Sequence, residues 1–199
     1  MPFACTSCLF WEYHPVHRRA LKGHEREEKS AWLSRVLREW GSCGAVAYAD
    51  DRPVGFLVWA PAIYVPGAEG FATAPISPDA VLLSTGYVDP RHRRGGLGRV
   101  LVQSMAKDVL KHGGVRAVEA FGDTRGRSGD CTLPADFLLA VGFKTQRAHP
   151  TYPRMRMDLR TTLTWREEFE TALAKLRGAV GAKASAPRPV HRDQAAGPR

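Results

Sequence analysis

The residues best suited to chemistry sit in DPRHRRGGLGRVL, Asp89 to Leu101, where four arginines, a histidine and three glycines lie between an apolar run and an amphipathic stretch. A turn between two buried elements needs one glycine at most. The surplus implies that the backbone itself comes close to something, and the charge implies that this something is anionic. A helix start leaves its first amides without partners and carries partial positive charge. Glycines remove the side chains that would hold a phosphate away from those amides. The segment therefore reads as a backbone cradle for a phosphate or pyrophosphate, with Arg91, His92, Arg93, Arg94 and Arg99 raising the local potential. The nucleotide pattern GxxxxGK[ST] is absent, as is the dinucleotide spacing GxGxxG.

The elements that must position this turn follow from periodicity. Val81 to Val88 is a buried strand leading in. Leu97 to His112 is a helix leading out, with Leu101, Val102, Met105, Ala106, Val109 and Leu110 on one face and Gly113-Gly114 as its stop. Upstream, Trp32, Leu33, Val36, Leu37 and Trp40 predict a helix over Glu25 to Trp40, with Gly41 at its C-terminus and Glu25 four residues before Lys29. Ala45 to Tyr48 and Val54 to Trp59 are strand-like and joined by a tight Asp-Asp-Arg-Pro connection, which predicts a hairpin. Pro61 to Pro78 holds four prolines and is a long loop. Downstream come a short strand at Ala117 to Phe121 and a helix at Pro134 to Val141 closed by Gly142. Two further strands are expected near Phe143 to Ala148 and Met155 to Leu159.

With 199 residues the chain is long enough for one sizeable core and short for two ordinary domains. It divides into a folded domain over 1–160, an amphipathic helix within 161–177 and a basic tail over 178–199. The helix, Leu163 to Leu176, aligns Trp165, Phe169, Leu173 and Leu176, to pack on its own domain or on a second copy of the chain. The tail is Ala, Pro, Arg and Gly with almost nothing to bury, and is expected to be disordered. From Lys175 onward six Lys/Arg face one Asp, so more than half of the net charge of +9 lies near the end. The basic balance is thus a weak argument for nucleic-acid binding by the domain. No apolar run approaches the roughly 20 residues of a bilayer span, and no membrane association is expected. The N-terminus lacks the pattern of a signal peptide, so a cytoplasmic protein is the default.

Four cysteines are too few for a disulfide scaffold. Cys5 and Cys8 form a lone CxxC, open to three readings: a metal site completed by Cys43 and His14, His17 or His24, a redox pair, or ordinary buried thiols. The last is preferred, and no metal is expected.

Arg93-Arg94-Gly95-Gly96-Leu97-Gly98 matches the pattern R/Q-x-x-G-x-G/A and resembles the acetyl-coenzyme-A loop of the GNAT superfamily of N-acetyltransferases. GYVDPRHRRGGLGRVLV is similar to that family's strand, "V-x-P" exit, loop and helix, and ADFLLAVGF to its later helix ending in "GF". The resemblance covers roughly Phe3 to Leu159. It implies an α/β fold with a mixed, mostly antiparallel central sheet flanked by helices. It implies amides from Arg93 through Arg94, Gly95, Gly96, Leu97 and Gly98 on the pyrophosphate of acetyl-CoA, with Arg99 beside them, and backbone groups of Tyr87 and Val88 on the pantetheine arm. An amine would attack the thioester directly where two strands splay apart, and the Pro61–Pro78 loop with Tyr64 and Phe71 would wall the acceptor.

The chain departs from the family at the usual catalytic positions. Leu138, with Phe137 beside it, stands where many relatives carry a tyrosine that protonates the leaving thiolate, and Ala80 to Tyr87 lacks the glutamate of others. Glu119 is then the expected base, with water as the alternative, and Cys131 the expected catalytic or substrate-contacting group near the thioester. Two other classes of function stay open at this point: a coenzyme-A-binding protein without catalysis, and a basic protein associated with nucleic acid.

Overall fold

The computed structural model describes residues 3–126 and 131–159. The expected C-terminal helix and basic tail lie outside the described residues. A four-residue helix, α1 (Phe3–Thr6), opens the chain and is followed by α2 (Glu25–Trp40). The hairpin comes next as β1 (Gly44–Ala49) and β2 (Arg52–Pro61), then β3 (Ala80–Val88), α3 (Leu97–Val109) and β4 (Ala117–Asp123). A two-residue β5 (Leu133–Pro134), α4 (Ala135–Ala140), β6 (Lys144–Arg147) and β7 (Arg154–Asp158) complete the described chain. No helix of the described residues is long and apolar enough to cross a membrane.

The strands form one sheet in the order β1-β2-β3-β4-β7-β6, with β5 attached to β4. Pairings are antiparallel except β3 with β4 and β4 with β5. Alternation along the strands divides the core into two layers, as a period of two requires. Leu57, Trp59, Val81 and Leu83 point to one face and meet Leu101, Val102, Met105, Ala106 and Val109 of α3 and Leu138 of α4. Phe56, Val58, Ala60 and Leu82 point to the other and meet Trp32 and Val36 of α2, together with Trp11. β4 is buried along its whole length, as the central strand between two helical layers.

Helix α2 ends where periodicity and Gly41 place its end: Gly41 adopts φ 89° and its amide reaches the carbonyls of Leu37 and Val36. Lys29 departs from expectation. It pairs with Glu12 rather than Glu25, and its ammonium also donates to the Cys8 carbonyl at 3.1 Å. Glu12 is 2% exposed, and a buried carboxylate demands a cation more strongly than the half-buried Glu25 does. The pair ties the N-terminal segment onto α2. The Pro61–Pro78 segment is not structureless: it contains two short 3-10 turns, Ala62–Tyr64 and Pro66–Gly70.

Candidate active site

The site begins with a defect in the β2–β3 ladder. Val58 pairs with Thr85 and Trp59 with Leu83, which leaves Ser84 as an extra residue in β3. Its hydroxyl donates to the Val58 carbonyl at 3.1 Å, so the bulge is held from inside the sheet. A bulge bends and twists the strand that carries it. On its other side β3 pairs with β4 only from Ala80–Ala117 to Leu82–Glu119. Past the bulge the two parallel strands part, and the gap opens at their C-terminal ends.

Register decides which backbone groups face this gap. The Asp89 amide donates to Val54 at 2.8 Å, making that a hydrogen-bonded pair. Phe56–Tyr87, two residues along, is then another, and Gly86 and Val88 fall at the intervening positions. Tyr87 therefore spends its backbone groups on β2, and its ring lies 6.1 Å from that of Phe56. Tyr87 and Val88 are the two residues expected to offer backbone to a ligand arm; in this register the Gly86 groups and the Val88 amide face the gap, while the Val88 carbonyl accepts from Arg93. A single bulge shifts this parity, which a strand pattern alone does not reveal. Leu133 of β5 enters the gap from the β4 side; a Cβ on Gly86 would stand 3.1 Å from its methyl.

Beyond Val88 the chain turns through Pro90–His92 into the glycine run. Arg94 adopts φ 64° and Gly96 φ 86°, which turns successive amides the same way before α3 begins. Among the described residues, no acceptor meets the amides of Arg94, Gly95, Gly96, Leu97, Gly98 and Arg99. A Cβ on Gly96 would meet nothing within 4 Å, and one on Gly95 only the His92 carbonyl at 3.9 Å. No side chain or backbone thus stands close over Gly95 or Gly96. Gly98 has a different duty: a Cβ there would stand 2.7 Å from the Phe137 ring, so it lets α3 close against α4.

The arginines differ in what they are free to do. Arg91 is paired with Asp89, through Nε and Nη2 both at 3.1 Å, and holds that carboxylate down to about 2. Arg93 donates to the Val88 carbonyl at 2.9 Å and Arg99 to the Ala140 carbonyl at 2.7 Å. Arg94 has no partner among the described residues and projects from the centre of the run. An open depression of about 530 Å³ lies beside the loop, lined by Arg52, Val54, Asp89, Arg91 and His92.

Glu119 is fully buried, at the last β3–β4 pair. Its oxygens accept from Arg154 at 3.0 Å, Arg156 at 3.3 Å and the Ser77 amide at 3.1 Å. These bonds suit an anchor that pins the 75–77 segment and β7 to β4. Leu138 is fully buried within the α3 layer, which leaves no opening there for an acid.

Cys131 is half-buried just before β5, and its carbonyl accepts from the Trp11 indole at 2.8 Å. Its sulfur lies 3.0 Å from that of Cys8. Trp11 stacks on Phe71 at 5.2 Å, and Phe71 on Phe121 of β4 at 4.2 Å, so this aromatic column covers the splayed part of β4. Tyr64 turns away to α2, where its hydroxyl donates to Glu39 and its carbonyl accepts from Trp32. The role of the N-terminal segment went unread in the sequence, although the aromatic density of LFWEY was a signal. Among the described residues, no group of three or more His, Cys, Asp or Glu is placed to hold a metal ion.

The folds of several acetyltransferases are similar to this one. A PaiA N-acetyltransferase from Thermoplasma acidophilum, solved with coenzyme A, is 15% identical, with 78% of this chain and 87% of that chain covered at a TM-score of 0.47. The aminoglycoside acetyltransferase AAC(6')-Ib, solved with coenzyme A and kanamycin, is 15% identical over 74% of this chain and 80% of its own, at 0.48. A GNAT-family acetyltransferase from Streptococcus pneumoniae is 13% identical over 67% and 75%, also at 0.48. No curated protein matches. The acetyltransferase (GNAT) family model matches residues 7–126, more than half of the chain and the stretch that holds the bulge, the gap and the glycine cradle, and the protein therefore belongs to that family.

Proposed function

We propose that this protein transfers an acetyl group from acetyl-CoA to a primary amine, by direct attack with both substrates bound. The observation that carries this reading is the adjacency of the splayed β3–β4 gap to six unpartnered amides at the start of α3. In this reading the amides of Arg94 to Arg99 hold the pyrophosphate and Arg94 supplies a further cation. Gly86 and Val88 align the pantetheine arm along β3. Acetyl-CoA supplies the activated acyl group, whose thioester carbonyl the amine attacks as the thiolate leaves. The protein's share is alignment and exclusion of water, which alone can lower a barrier substantially. Glu119 is held by two arginines, so the amine gives its proton to solvent. The Cys131 thiol is held well above its ordinary range, first by its hydrogen bond to Cys8 and then by burial, and stands as a substrate-contacting group rather than a nucleophile. The folded domain is taken as residues 1–160.

The rival is a coenzyme-A-binding protein that does no chemistry, favoured by the buried Leu138 and the anchored Glu119. One experiment separates the readings. Mass spectrometry of the purified protein should find retained coenzyme A, and a panel of primary amines should be acetylated with acetyl-CoA supplied. Binding without turnover on any amine supports the rival, and absence of binding at millimolar acetyl-CoA overturns both. Steep salt-dependent affinity for RNA or DNA would point instead to a nucleic-acid partner.

A further inference from the structure

Three of the four cysteines lie around the N-terminal segment and the start of β5. Cys8 and Cys131, 123 positions apart in sequence, bring their sulfurs to 3.0 Å, and both are half-buried. The surroundings hold them there from both sides: Lys29 donates to the Cys8 carbonyl and Trp11 to the Cys131 carbonyl. Cys43, by contrast, is buried on its own.

We propose that Cys8 and Cys131 form a reversible oxidation site, at which a hydroperoxide converts the thiol pair into a disulfide joining the N-terminal segment to the lead-in of β5. The two thiols have separate parts. The hydrogen bond with Cys131, and further the Phe10 amide, lower the Cys8 thiol from its ordinary value, so Cys8 is the readier thiolate of the two. Its sulfur attacks one peroxide oxygen; an S–O bond forms, the O–O bond breaks, and the departing hydroxide takes a proton to become water. Cys131 then gives up its proton and its sulfur attacks the Cys8 sulfenic acid. The S–S bond forms, the S–O bond breaks, and a second water leaves. Two thiols and one hydrogen peroxide thus become one disulfide and two waters, and an external dithiol reverses the change. The 3.0 Å contact selects Cys131, rather than Cys5 three residues from Cys8, as the partner, and the Cys5 thiol is raised by burial.

The test treats the reduced full-length protein with a small excess of hydrogen peroxide, followed by intact mass and non-reducing peptide mapping. The expected result is a loss of about 2 Da, a single cross-linked peptide containing Cys8 and Cys131, and full recovery with dithiothreitol. The cross-link closes a loop of more than a hundred residues, so the melting temperature should rise by about 5–10 °C on oxidation. Cys5→Ser should leave all of this intact, whereas Cys8→Ser and Cys131→Ser should each abolish it, with circular dichroism as the folding control. A Cys5–Cys8 peptide, stable addition of oxygen at Cys8 without cross-linking, or an unchanged mass would each overturn the proposal. None of these readouts depends on acetyl transfer.

Discussion

Replacing Gly95 with aspartate tests the cradle more cleanly than any other change to the loop. Gly95 is not in the left-handed region, and a Cβ there meets only the His92 carbonyl at 3.9 Å. The fold should accept the side chain with a stability change within about 0.5 kcal/mol. Gly96→Asp is a poorer probe, since φ 86° at that position adds strain of roughly 1 kcal/mol or more that has nothing to do with binding. At position 95 a carboxylate would stand among the amides of Arg94 to Arg99 and repel a pyrophosphate. Losing two charge-assisted hydrogen bonds, each worth about 1.5–3 kcal/mol, costs at least about 3 kcal/mol. That corresponds to more than about 100-fold in affinity, before repulsion is counted. Calorimetric titration with acetyl-CoA measures the loss, and thermal unfolding by circular dichroism checks the fold. Gly95→Ala, a neutral methyl in open space, should lose less than about tenfold. A well-folded Gly95→Asp protein that binds acetyl-CoA within a few-fold of the parent would refute the assignment of these amides to the pyrophosphate.

Four further outcomes follow from the packing and the charges. Glu119→Gln should destabilise by about 3 kcal/mol, because the buried Arg154 loses its carboxylate partner, while Arg156 keeps Asp79 and Asp158 and turnover per folded molecule is retained; an unchanged melting temperature with turnover lost would restore Glu119 as the base. Leu138→Tyr, which reinstates the family's common acid, should cost about 1–3 kcal/mol by overpacking a fully buried position and should not raise kcat. Gly98→Ala should cost a similar amount, about 1–3 kcal/mol, by driving a methyl into Phe137, and Phe137→Leu in the same chain should recover part of it in thermal melts. Asp79 is held below the usual carboxylate range by Arg156, and a depressed folded value means its stabilisation is complete above the unfolded value near 4 and is lost as pH falls below it; acid titration followed by circular dichroism should show this limb, and Asp79→Asn should flatten it.

Local patterns made most of the elements legible. The stripe from Trp32 to Trp40 and the αL glycine after it specify α2 to the residue, because both signals lie within a few turns of one helix. The same holds for α3, whose apolar face and glycine-rich start are contiguous in sequence, although it ends at Val109, three residues before the expected His112. The hairpin was legible because its turn is local, and the cradle because glycine and charge are properties of one short run. What tertiary structure alone decided involves partners remote in sequence. The extra residue at Ser84 exists only relative to the register of β2, and it sets whether Tyr87 or Gly86 faces the gap. Lys29 chose Glu12 over Glu25 because burial makes the remote carboxylate the more demanding partner. Glu119 looks like a free base in the sequence, but β7 places two arginines on it. Cys8 meets Cys131 rather than the Cys5 of its own CxxC for the same physical reason. Periodicity says which face of an element is buried, but which groups meet on that face depends on how the sheet orders its strands.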